Sequence, residues 1–282
     1  MRALAGVGAV ILLAAGGAVG SFSDGLRETP RTPPGPASLL GGFSALAVQV
    51  LSIRADAATA RGDPAEALLQ LDMILELEPQ LIRGADWIAH EIGVNMAGNE
   101  PDPQAAFGLV LEGLRVQDRC VATNPTDVDA YLQRGNYVLR RFASSAERAA
   151  GFAATMGISP YQAALVDFRR AHRMEPEDLD ALDGLGVAAL YAGRDALIEA
   201  DTLGTLTLLG EARAAFERAL AGYRAEGLAS MPAKEWALAL TITLEEVLTA
   251  PEAERRARYR TFYEEFGGPN GLPGLPRPET PR

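Results

Sequence analysis

The chain has 282 residues, with 26 Lys and Arg against 37 Asp and Glu, a formal charge of −11 and a pI near 4.8. That balance excludes a phosphate-binding surface, because nucleic-acid affinity rests on clustered cations that displace condensed counterions. A single cysteine, Cys120, excludes an intrachain disulfide and a cysteine-based metal site, and the two histidines, His90 and His172, stand too far apart in sequence to give a zinc pair.

In chain order, Ala3 to Gly20 carry no charge, and Arg2 with the amino terminus supplies a positive flank. Residues 1–22 are therefore expected to be a signal peptide or a transmembrane anchor. Ala18, Val19 and Gly20 before Ser21 are small enough for a signal peptidase, so both outcomes stay open. Residues 23–38 follow as a Pro-rich linker, because Pro30, Pro33, Pro34 and Pro36 fix φ and remove backbone donors. Residues 39–266 form the expected domain, and 267–282, rich in Pro and Gly, a disordered tail.

Within the domain, apolar residues recur at helical spacing. The pattern predicts helices over about 43–61, 64–77, 81–97, 103–123, 126–142, 160–174, 178–193, 208–226, 232–248 and 251–265. Asp63-Pro64 and Ser159-Pro160 mark starts, and Glu78-Pro79, Asn124-Pro125 and Glu175-Pro176 mark stops, since the residue before proline disfavours the α region. The fold class is all-α. With 6% aromatic residues and 29 glycines, its interior has to be closed by Ala, Leu and close helix approach.

One pattern recurs. Ala164, Phe168, Ala171 and Pro176 follow the separations 4, 3 and 5; Ala67, Leu71, Ile74 and Pro79 repeat them, and Ala212, Phe216 and Ala219 repeat the first two. Leu182, Leu185 and Gly186 follow Pro176, and Tyr131, Gly135 and Val138 follow Pro125. This arrangement resembles the tetratricopeptide repeat, whose second helix carries small, large and small residues before a proline. The resemblance implies an antiparallel helix-pair solenoid after an N-terminal hydrophobic helix. The prolines at 79, 125 and 176 are 46 and 51 residues apart, longer than the family's roughly 34. The run Leu40-Gly41-Gly42-Phe43, Ile53-Arg54-Ala55-Asp56 and Asn95-Met96 is also similar to bacterial envelope tetratricopeptide proteins of undefined role. That likeness implies a bacterial inner-membrane protein with a periplasmic repeat domain, or one secreted to the periplasm if the signal is cleaved.

What the family resemblance implies about function is protein or peptide binding in a concave groove lined by first helices. Arg83, Asp86 and His90, then Asp129, Asn136 and Arg140, then Asp180, Asp183 and Tyr191 are the expected groove residues. The set leans acidic and points to a basic or amphipathic segment of another envelope protein. Two alternatives remain at this point. One is a self-associating structural subunit using Tyr259, Phe262, Tyr263 and Phe266; the other is an envelope enzyme with a site around Asp86, His90 and Glu91. No catalytic motif, metal site or cofactor is expected, and the partners are protein and, through the N-terminal helix, membrane, with no nucleic acid.

Overall fold

The computed structural model of the chain describes residues 42–78, 81–227 and 232–266, and every regular element among them is helical. In order these are α1 (Gly42–Ala60), α2 (Pro64–Leu77), α3 (Ile82–His90), α4 (Pro103–Thr123), α5 (Val128–Arg141), α6 (Ala146–Met156), α7 (Pro160–Met174), α8 (Leu179–Ile198), α9 (Thr202–Ala225), α10 (Pro232–Thr249) and α11 (Glu252–Phe266). A π-helical segment, Glu91–Met96, and a short turn, Ala97–Asn99, continue α3. The expected signal or anchor 1–22, linker 23–38 and tail 267–282 lie outside the described residues, as does Pro79. No helix among the described residues is long and apolar enough to cross a membrane.

Side-chain caps set the helix starts. Asp63 accepts from the Glu66 N–H at 3.0 Å, Asp178 from Ala181 at 2.6 Å and Asp201 from Gly204 at 2.9 Å. Ser159 and Gln162 form a reciprocal capping box ahead of α7. Each cap satisfies an N–H that no earlier turn can reach. Capping also corrects one expected boundary: Asp127 accepts from the Asp129 N–H, so α5 starts at Val128 rather than at 126. Helix α6 was not expected at all. Its sequence is largely Ala and Gly with Phe152 as its one buried side chain, too little for a periodic signal, yet Ser145 caps one end and left-handed Gly157 (φ 75°) closes the other. Likewise α9 begins six residues before the expected 208, through a Thr- and Gly-rich turn that Asp201 caps and the buried Thr205 anchors.

The chain divides between Pro125 and Thr126 into two compact units. In the first, α1 packs along α2, and α3 with its π-helical continuation packs on α4. Ala67, Leu71 and Ile74 of α2 are buried, as the repeat pattern requires, and so is Cys120 on α4. Glu91, Ile92 and Gly93 are three consecutive buried residues. In a regular helix they would sweep about 200° of face, and the wider π turn reduces that spread.

In the second unit α5 packs on α7, α7 on α8, α8 on α9, α9 on α10 and α10 on α11. The recurring triplets Ala164/Phe168/Ala171 and Ala212/Phe216/Ala219 are all buried. Glycines make room for the large member of each. A Cβ added at Gly135 would lie 2.9 Å from the Phe168 ring, one at Gly184 2.1 Å from it, and one at Gly186 2.6 Å from Phe216. Phe168 therefore fills a notch in α5 and another in α8, which locks α7 between them. At the far end Phe262 and Phe266 are buried, with the Trp236 ring 6.1 Å from that of Phe266.

A polar seam joins α7 to α9. Arg169 forms a two-pronged pair with Glu211 (2.8 and 2.5 Å), and Arg218 donates to the Pro176 carbonyl and to Glu177, both at 2.8 Å, with His172 Nε2 at 3.3 Å. Burial first, and Arg218 second, lower the His172 pKa. The unfolded chain then takes a proton at His172 more readily than the folded chain. Stability is accordingly present above the ordinary imidazole value near 6.5 and is lost as pH falls below it. The measurement is the urea midpoint at pH 7.5 and 5.5: His172→Gln should lose less on acidification than the unmodified chain, and equal losses would remove His172 as a source.

Candidate protein-binding face

The nine expected groove residues fall on three helices, each at spacings that share one face. Arg83, Asp86 and His90 lie on α3 in the first unit; Asp129, Asn136 and Arg140 on α5, and Asp180, Asp183 and Tyr191 on α8, lie in the second. Arg83, His90, Arg140 and Asp180 are exposed; Asp86, Asp129, Asn136, Asp183 and Tyr191 are half-buried.

In the first unit, Asp86 accepts from Nε2 of the buried Gln117 at 3.2 Å, and Glu91, also buried, accepts from Asn95 Nδ2 at 2.6 Å. Both carboxylates near His90 are thus engaged by amides. No group of three His, Cys, Asp or Glu side chains able to hold a metal occurs among the described residues. A shallow cleft of about 250 Å³ is lined by Leu71, Leu75, Ile88, Ile92 and Val116, with Asp72 and Arg119 paired at its edge.

The second unit holds two arrangements that sequence spacing did not reveal. Tyr191 stacks on Tyr161 of α7, with centroids 4.9 Å apart and planes 11° from parallel, and the Arg194 guanidinium covers both rings at 5.2 and 4.9 Å. The same arginine bonds Asp195, so one cation ties two aromatic rings and a carboxylate together. About one turn from the start of α8, Asp183 accepts from the Tyr223 hydroxyl at 3.0 Å and pairs with Lys234 of α10, whose ammonium lies 3.9 Å from the Tyr223 ring centroid. Burial, with the fields of Asp180, Glu226 and Asp178 added, raises the Tyr223 pKa, and burial lowers that of Lys234 against the opposing pull of Asp180. Asp183 is thus an expected groove residue that side chains of two other helices hold. A cue was present in the sequence: Lys234 is the only lysine in the chain.

No protein-family model matches the chain, and no curated protein matches it. Among solved structures, the chain is similar to a thermophilic TPR protein of Thermus thermophilus, with 19% identity, 77% of this chain and 90% of that one covered, and a TM-score of 0.36.

Proposed function

We propose that the chain is a protein-interaction scaffold of the tetratricopeptide type, whose first helices bind a basic or amphipathic segment of another polypeptide. Its place is the bacterial envelope, tethered to the inner membrane by residues 1–22 or released to the periplasm if that segment is cleaved. The observation that carries the reading is the division of labour on α5 and α8. Gly135, Gly184 and Gly186 of these helices take up Phe168 and Phe216, while Asn136, Arg140 and Asp180 of the same helices stay outside the core. Recurrent small-large-small triplets opposite glycine notches support the family reading, and the charge of −11 supports a cationic partner. Self-association through the last helix draws less support, since Phe262 and Phe266 are buried within the chain.

The test is crosslinking capture from a native membrane fraction, comparing the full chain with Asp180→Arg/Asp183→Arg. The double reversal is expected to lose a defined set of captured proteins while its unfolding midpoint shows a folded chain. Retention of the same set by the folded variant would sink the reading.

A further inference from the structure

We propose that Lys234 is an internal stand-in for a partner's cationic side chain: it occupies the Tyr223–Asp183 pocket of the free chain, and an arginine from a basic segment displaces it. The inference rests on the proposed binding role of the α8 face and states how that face is regulated.

Four observations carry it. First, among 25 arginines Lys234 is the single lysine, and it stands in the first turn of α10, where the positive end of the helix dipole disfavours a cation. Its own helix therefore gives no reason for it. Second, the pocket does not rest on Lys234 alone, because the Tyr223 hydroxyl also holds Asp183 Oδ2 at 3.0 Å. An aromatic face and a carboxylate fixed side by side form a cation seat. Third, Lys234 leaves the seat incompletely satisfied: among the described residues, Asp183 Oδ1 is buried with no hydrogen-bond partner. An ammonium is a point donor, whereas a guanidinium presents paired N–H groups that can reach both carboxylate oxygens while stacking on the ring. Fourth, α10 packs chiefly on α9 and α11, so the reach of Lys234 to α8 can be given up without unpacking its helix. Asp178, Asp180 and Glu226 act on the same tyrosine, so a segment with more than one arginine finds further acid beside the seat.

The experiment uses the full chain and a fluorescein-labelled, C-terminally amidated peptide alternating arginine and alanine, read by anisotropy. Removing an occupant that fills the seat about nine-tenths of the time tightens binding roughly tenfold, so Lys234→Met, which keeps the aliphatic stem on Tyr223, is expected to bind that much more tightly. Adding Asp183→Asn to Lys234→Met should abolish the gain. A second readout needs no variant. An N-acetylated, unlabelled form of the same peptide contains no amine, so acylation of Lys234 by an amine-reactive ester, followed by mass spectrometry, should speed up when that peptide is added. Equal affinity of Lys234→Met and the unmodified chain, with loss on Asp183→Asn, would overturn the displacement and leave the binding role standing. Absence of binding by every form, each with an unchanged unfolding midpoint, would overturn both.

Discussion

Asp167→Ala is expected to destabilise the second unit by about 3–5 kcal/mol, read as a fall in its urea midpoint. Asp167 sits on α7 with 3% of its surface exposed, and it receives Arg134 Nε at 3.0 Å and Nη2 at 2.5 Å from α5. Two effects oppose each other. Desolvating the pair costs several kcal/mol per ion, and the two-pronged geometry offsets much of that cost. Net stabilisation by the intact pair is therefore small, while removal of Asp167 takes both prongs of the contact from a guanidinium with only 23% of its side chain exposed. This asymmetry supplies the control: Arg134→Met/Asp167→Leu should recover to within about 1 kcal/mol of the unmodified chain. A double variant as unstable as the single one would show that Asp167 acts through something other than Arg134.

Phe168→Ala carries an effect of the same size, about 3–5 kcal/mol, because the ring is fully buried and fills notches on two helices at once. The notch idea makes a sharper demand at Gly184. Alanine is the better helix former by up to about 1 kcal/mol, so Gly184→Ala in an open position would stabilise. Here its Cβ would lie 2.1 Å from Phe168 Cε1, and the ring is already seated against α5, where a Cβ built at Gly135 would lie 2.9 Å from it. Overpacking costs about 1–3 kcal/mol and wins, so Gly184→Ala should lower the midpoint. Gly108 on α4, where an added Cβ meets nothing within 4 Å, serves as the reference site in the same assay.

These two neighbours on α7 mark what could be read from the sequence and what could not. Phe168 was legible, since a large residue between Ala164 and Ala171 recurs at Phe216, and the burial of both triplets follows from that spacing. Asp167 was not. Its partner Arg134 lies 33 residues away on another helix, and no local period ties a carboxylate to a cation at that distance. Helix α6 leaves no periodic signal in the sequence, because an Ala-rich stretch with one anchoring Phe152 lacks a face to count. Asp180 and Asp183 were legible as α8 residues sharing a face with Tyr191. The partners of Asp183, Tyr223 and Lys234, come from two other helices that only packing brings near.

If polypeptide partners dock on the first-helix side chains of the second unit, as proposed, site-specific photo-crosslinking will trap them there. A photoreactive residue is placed at Asn136 on α5, at Asp180 on α8, or at the exposed second-helix position Glu217 on α9, and adducts are collected from native membranes. The expected result is the same partner bands from Asn136 and Asp180 and none of them from Glu217. Equal yields from all three positions, or adducts from Glu217 alone, would contradict it.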